Sequence, residues 1–355
     1  MSTLVLISLR LRTRNIKILR TISYSSQPKQ DSIKDLCKVV NVAIIGAPNA
    51  GKSTLINKII ERKICAASNK VHTTTKLVRA ICYEDNTQIV FLDTPGIVTE
   101  KEQKKYNLPD SMLAACQKSL RCADVIGVVH DVSNKWTKDS LHRDVIKMLE
   151  MVKNIPSFLI INKVDRLKSK KQLLTIISNV TNGIIAGNPM PVANKHKKPE
   201  GIGYSNFSDV FLVSALNGDG VNDIKKYLIE NSKLRSLHYS QSDWSDQTPE
   251  SLIEEAVRAK FLDFLAQEIP YNLKTRLEYF DDINHEDKIV CSVSVECPTE
   301  RLARLISGAG GGRLQQIKSH VRNDLIDMFK KTVVIDIALK VKSKPTSEET
   351  LRVLN

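Results

Sequence analysis

The chain has 355 residues, room for two or three domains, and its composition, 42% hydrophobic and 26% charged, is that of an ordinary globular protein. No apolar run approaches the roughly 18–20 residues that a bilayer-spanning helix needs, and seven cysteines without a C-x-x-C pair argue against a zinc site or a disulfide framework and fit a reducing compartment. A net charge of +14 calls for a polyanionic partner, nucleic acid first and an anionic membrane surface second.

Part of that charge sits in residues 1–30, which carry Arg10, Arg12, Arg14, Lys17, Arg20 and Lys29 and no acid. The stretch is rich in arginine, serine and threonine and can form an amphipathic helix, the composition of a mitochondrial transit peptide. Its segment Arg20-Thr-Ile22-Ser-Tyr-Ser25 is similar to presequences trimmed a few residues downstream. Without these six charges the chain still carries about +8.

Residues 39–54 read VVNVAIIGAPNAGKST. An apolar strand, Val42–Ile45, runs into Gly46-Ala47-Pro48-Asn49-Ala50-Gly51 and then Lys52, Ser53 and a helical pattern. This is G-x-x-x-x-G-K-[ST] in its strand–loop–helix setting. The glycines let backbone N–H groups converge on phosphate at a helix N-terminus. Lys52 reaches the β/γ-phosphates, and the Ser53 hydroxyl ligates Mg²⁺.

From Val39 to Ser214, strand-like and helix-like segments alternate, which implies an α/β fold with a mostly parallel six-stranded sheet and helices on both faces. Expected strands are Val42–Ile45, Val78–Tyr83, Gln88–Leu92, Val125–Val129, Phe158–Ile161 and Val210–Val213; Asp85-Asn86-Thr87 reads as a hairpin turn that makes one pair antiparallel. Expected helices are Lys52–Ile60, Met112–Cys122, Lys138–Val152, Leu167–Ser178 and Val221–Asn231. Ligands sit at the carboxyl ends of such strands, and three further motifs fall there. Asp93-Thr94-Pro95-Gly96 offers a carboxylate for Mg²⁺ through a water and the Gly96 N–H for the γ-phosphate. Asn162-Lys163-Val164-Asp165 offers a carboxylate that accepts from both N1–H and the 2-amino group of guanine, a pairing adenine cannot return; Asn162 braces the phosphate loop and the Lys163 stem packs on the base. In Ser214-Ala215-Leu216 the Ala215 amide is placed for guanine O6.

The order of these motifs resembles the translation-factor-like P-loop GTPases, and within them the Era family. The likeness rests on Gly46-Ala-Pro-Asn-Ala-Gly-Lys-Ser, on His72-Thr73-Thr74-Thr75 and on Asp93-Thr-Pro-Gly96-Ile97. It implies that Thr74, with Thr73 as the alternative, is the switch threonine on Mg²⁺; Thr75 stands where the family usually has arginine. Ile97 occupies the place of the water-orienting glutamine of Ras-like enzymes, so hydrolysis must draw on other groups. The resemblance puts K⁺ against the phosphates through Asn49, where it neutralises charge as an arginine finger does; plain turn chemistry is the other reading of Asn49. Asn49, Lys52, Thr74 and Gly96 are therefore the residues assigned to hydrolysis.

Residues 180–209, with the basic cluster Lys195-His-Lys-Lys198, exceed an ordinary loop and read as a surface insertion; 233–249 is polar and reads as a linker. Thr248-Pro249 then suits an N-cap and first helical position, opening a helix over Glu250–Glu268. Strand (Lys274–Phe280), strand (Lys288–Glu296), helix (Glu300–Ile306), glycine loop, helix (Arg313–Phe329) and strand (Val333–Val341) follow. The loop Gly308-Ala309-Gly310-Gly311 between two helices resembles that of a type II KH RNA-binding domain, a smaller α+β unit spanning 250–343 before a tail, 344–355. Ala309 and Gly310 stand where such loops usually carry a basic residue, which leaves phosphate contacts to Arg313, Lys318 and Arg304.

The expected whole is a presequence (1–30), a GTPase domain (38–232) and a KH domain, using GTP, Mg²⁺ and K⁺. The resemblance implies binding to small-subunit ribosomal RNA near its 3′ end and assembly of the small ribosomal subunit in the mitochondrial matrix, with the inner-membrane surface as a further partner. The chain is expected to act as a monomer. The rivals are a GTPase of the same superfamily serving tRNA modification or large-subunit assembly, a membrane-surface GTPase, and a protein in which nucleotide is only structural.

Overall fold

β1 (Leu36–Gly46) supplies the central strand around which a computed structural model assembles the chain. The residues described are 36–68, 70, 77–94, 119–167, 169, 171–190, 202–266, 268–283 and 286–341. After β1 come α1 (Lys52–Ile60), β2 (Val78–Glu84), β3 (Thr87–Asp93), β4 (Val125–Asp131), α2 (Arg143–Met151), β5 (Ser157–Asn162) and α3 (Lys171–Val180). A two-stranded hairpin, β6 (Ile184–Ile185) with β7 (Asn188–Pro189), precedes β8 (Phe207–Val213) and α4 (Val221–Glu230). The sheet order is β2-β3-β1-β4-β5-β8, and only β2 runs antiparallel on that path.

The physical reasons are local. β3 and β5 are buried along their whole length, as strands covered on both faces must be, and their sequences are near-continuous apolar runs. Asp85 and Asn86 both take positive φ, 49° and 57°, which makes the tight two-residue turn of a twisted hairpin. Alternate residues of β1 feed two cores. Val42 and Ile44 join α1 and α4 on one face; Ala43 and Ile45 join α2 and α3 on the other.

Several boundaries differ from the sequence reading; the helix expected over Leu167–Ser178, for one, is Lys171–Val180. The helix expected over Lys138–Val152 begins only at Arg143, because residues 134–140 are spent on turns and His142 caps the helix by accepting from the Asp144 N–H. The helix expected to reach Glu268 is α5 (Pro249–Phe264), and Ile269–Asn272 forms a separate 3-10 turn. The sheet has a seventh strand, β9 (Lys233–Ser236), antiparallel to β1 inside the stretch read as a linker. β4 pairs only with Val42–Gly46, so the first residues of β1 have an open edge that β9 fills. The helix expected at Met112–Cys122 lies largely outside the described residues, as do residues 1–35, the 195–198 cluster and the tail.

The C-terminal portion packs α5, α6 (Glu300–Ser307) and α7 (Gly312–Phe329) with a three-stranded sheet ordered β10 (Lys274–Ile283), β11 (Lys288–Cys297), β12 (Thr332–Val341). β10 is antiparallel to β11 and β12 is parallel to it, the helix-first arrangement that the sequence suggested. Thr248 caps α5 by accepting from the Ser251 N–H, with Pro249 at the first helical position. The first core runs on from α1 and α4 into α5, β11 and α7.

Candidate functional site

The polar loops at the carboxyl ends of β1, β5 and β8 meet in a cleft of about 380 Å³. Its floor is the loop from Gly46 to Gly51. A Cβ on Gly46 would lie 2.4 Å from the Val129 carbonyl oxygen, and one on Gly51 would lie 2.3 Å from Asn162 Nδ2, so neither position can hold another residue without moving a neighbour. Lys52 is buried, and its ammonium donates to the carbonyls of Gly46 (3.2 Å) and Ala47 (3.0 Å), which poises it over the loop. Ser53, at the start of α1, donates to Asp93 Oδ2 at 2.9 Å across the end of β3. That pair brings a hydroxyl and a carboxylate together, the hard oxygen donors that suit Mg²⁺. Burial first, and then the neighbouring Asp93 carboxylate, push the thiol of the core residue Cys65 well above the usual range, so it stays neutral.

Thr94, the next residue of the Asp93 motif, is buried and donates to the Ile44 carbonyl at 2.7 Å, a strut between β3 and β1. Thr73, Thr74, Pro95, Gly96 and Ile97 lie outside the described residues.

The base end of the cleft is built by side chains that tie the loops together. Asn162 is buried; its Nδ2 donates to the Ala50 carbonyl at 2.8 Å, and its Oδ1 accepts from the Ala215 N–H at 3.0 Å. One side chain thus fixes the phosphate loop against the loop after β8, and the Ala215 amide, expected at guanine O6, serves this brace. Ser214 is buried behind it. Asp165 is exposed on a 3-10 turn, Val164–Arg166, and lines the cleft with the exposed Leu216. Lys163 adopts a positive φ of 65°, and its ammonium donates to the Asn49 carbonyl at 2.8 Å and to Asp131 Oδ2 at 2.6 Å. Asn49 itself turns the loop with φ 58° at its exposed tip.

Asp131 escaped the sequence reading. Its place at the carboxyl end of a parallel strand was the available signal. Lys70, on the far rim, was also missed; its ammonium donates to the Leu265 carbonyl at 2.5 Å, and burial lowers its pKa against the opposing pull of Glu268 and Asp263.

The second candidate site is the glycine loop between α6 and α7. Gly308 caps α6 with its N–H on the Arg304 carbonyl, and Gly310 and Gly311 take positive φ. The basic residues expected to meet RNA have partners in their own chain. Arg313 donates to the Leu305 carbonyl (3.0 Å), Lys318 pairs with Asp336 (2.7 Å) and Arg304 with Glu300 (2.7 Å). These are surface contacts worth about 1 kcal/mol or less each, weak enough to exchange for phosphate. Lys318 holds the Asp336 carboxyl below its ordinary pKa.

Comparison with known proteins accords with this geometry. The family model for 50S ribosome-binding GTPases matches residues 41–163. The mitochondrial GTPase Era of Salmo salar is 33% identical over 352 residues, 86% of this chain and 77% of that protein. The mitochondrial GTPase Era of Danio rerio is also 33% identical, over 91% of this chain and 80% of its own length. A crystal structure of Era in complex with MgGDPNP and nucleotides 1506–1542 of 16S ribosomal RNA superimposes with a TM-score of 0.68 at 26% identity, covering 87% of this chain and 95% of that one. With its phosphate loop, base loop and glycine loop each in place along that shared length, the chain belongs to the Era family of GTPases.

Proposed function

We propose that the protein is a mitochondrial GTPase that binds small-subunit ribosomal RNA near its 3′ end and acts in assembly of the small ribosomal subunit. The observation that carries this reading is the likeness, across both portions of the chain, to Era bound at once to MgGDPNP and to nucleotides 1506–1542 of 16S ribosomal RNA. The matrix is the location that fits the arginine-rich, acid-free residues 1–30 and the mitochondrial relatives. The same reading divides the chain into a presequence (1–30), a GTPase domain (38–232) with an insertion near 180–209, a linker (233–249) and a KH domain (250–343).

In this reading Lys52 and the backbone N–H groups of the loop from Gly46 to Gly51, Pro48 excepted, hold the β- and γ-phosphates, and Asp165 selects guanine. Ser53 and Asp93, joined by Thr74, would hold Mg²⁺, which neutralises charge on the β- and γ-oxygens. Water attacks the γ-phosphorus, the bond to the β–γ bridging oxygen breaks, and GDP and phosphate leave. The base is fixed by Asn162 and Lys163 through the loops they tie, so reacting atoms and base share one rigid frame. K⁺ at Asn49 would offset charge on the phosphates as an arginine finger does. Gly308–Gly311 lets an RNA backbone approach closely, and the groove beside it takes unpaired bases.

Crosslinking in isolated mitochondria, followed by sequencing of the bound RNA, tests the proposal. Reads concentrated at the 3′ end of small-subunit ribosomal RNA are expected. Reads confined to large-subunit or transfer RNA would move the protein to another branch of the superfamily.

A further inference from the structure

Trp136 is 96% exposed, the most exposed of the large apolar side chains among the described residues. It stands on the turn between β4 and α2, and that turn is well tied. The Trp136 N–H donates to Asn134 Oδ1 at 3.0 Å, and the Lys138 N–H donates to the Asn134 carbonyl at 3.0 Å. From below, His130 Nε2 donates to the Lys138 carbonyl at 2.8 Å. The backbone therefore holds the indole outward with both ring faces open.

Lysines flank the ring in sequence, with Asp139 next beyond Lys138 on the same turn. Residues 132–138 contain Lys135 and Lys138 and no acid. Lys138 donates to the neutral Gln172 amide at 3.1 Å rather than to a carboxylate, and no carboxylate pairs with Lys135 among the described residues. A flat, two-faced ring with lysines on either side of it in sequence carries the two elements from which single-stranded nucleic acid sites are built, stacking for the base and cations for the phosphates. A protein partner would select against lysine at the centre of its interface. A membrane surface would call for an apolar face, whereas Lys135 and Thr137 beside the ring are polar.

The place of the turn is distinct from the glycine loop. Lys138 ties it to α3, which packs on the sheet face opposite α1, α4 and the C-terminal portion.

We propose that Trp136, with Lys135 and Lys138, forms a second RNA contact, where an unpaired base stacks on the indole and the two ammonium groups meet flanking phosphates. This rests on the RNA-binding reading above.

The chain has two tryptophans, so the difference in emission between the native protein and Trp136→Phe reports on this ring. The full chain is titrated with naked small-subunit ribosomal RNA, with intact small subunits, and with vesicles of phosphatidylcholine and cardiolipin. The RNA should quench Trp136, and should still do so in Gly310→Asp, which disables the glycine loop. Trp136→Ala should weaken binding of the naked RNA about five- to tenfold, the low end of what one aromatic–base stack contributes, with basal GTP hydrolysis unchanged. Lys135→Ala should lower the salt dependence of binding by about one phosphate contact. If the RNA binds but Trp136 emission and the Trp136→Ala affinity do not change, the second contact is overturned and the glycine-loop reading stands. A response only to vesicles, or only to intact subunits, overturns it in favour of a membrane or a protein. If no variant binds RNA, the RNA-binding reading itself falls.

Discussion

The Asp131 carboxylate holds the Lys163 ammonium at 2.6 Å, and the same ammonium lies 2.8 Å from the Asn49 carbonyl. The lysine of the base-reading loop is thereby pinned to the tip of the phosphate loop. Both side chains are largely shielded from solvent, so the contact is stronger than a surface ion pair.

Asp131→Asn should loosen that pin without unfolding the domain. GDP dissociation, followed with a fluorescent analogue, is expected to speed up about tenfold, the low end for a charge-assisted hydrogen bond. An unchanged rate would show that the ammonium needs no carboxylate to stay in place.

Asp165 is exposed at the cleft and tied to no structural partner in the hydrogen bonds described, so its replacement tests recognition rather than folding. Asp165→Asn should lower GTP affinity by roughly a hundredfold or more and favour xanthosine nucleotides, since a site built to pair with a base rejects the mismatched one strongly. Retained guanine preference in a competition assay would refute its role.

Exchange of K⁺ for Na⁺ is expected to slow GTP hydrolysis roughly tenfold or more, as loss of one transition-state charge partner does. Asn49→Ala should erase the difference between the two salts. Equal rates in the native protein would remove Asn49 from the mechanism.

Gly310 takes φ 58°, ψ 20°, and a Cβ there meets nothing within 4 Å. Aspartate tolerates that conformation. Gly310→Asp should place a carboxylate where RNA phosphate approaches, weakening RNA binding about tenfold or more. The KM for GTP should not move, and Tm should stay within about 2 °C. Undiminished RNA affinity would place the binding surface elsewhere.

His130 is buried, and burial lowers its pKa below the ordinary histidine value despite its bond to the Lys138 carbonyl. A carbonyl only accepts, so the neutral ring keeps its proton on Nε2. In the unfolded chain the ring takes up a second proton as pH falls through about 6.5, while the folded ring stays neutral. Its contribution is therefore complete above about pH 6.5 and is lost as pH falls toward the folded value, at no more than about 1.4 kcal/mol per pH unit. Urea unfolding at pH 7.5 and 5.5 should show the loss, and His130→Asn should flatten it.

How much of this was legible in the sequence follows from the range of each interaction. The phosphate loop could be read outright, because Gly46, Gly51, Lys52 and Ser53 act through local backbone geometry and lie within eight residues. So could the alternation of strands and helices, which follows from apolar periodicity, and the helix-first order of β10, β11 and β12. Asp165 was expected at the cleft because a strand's carboxyl end is a predictable address, and it lines the cleft. What only tertiary structure decided is how these parts are joined. Asn162 reaches 112 residues back to Ala50 and 53 forward to Ala215, and Asp131 meets Lys163 across adjacent strands. β9 pairs where β1 outruns β4, and the turn that carries Trp136 is tied from beneath by His130. Such contacts depend on strand order and register, which no local pattern encodes: the sequence alone determined which chemistry the chain carries, and the packed sheet decided which side chains hold that chemistry in place.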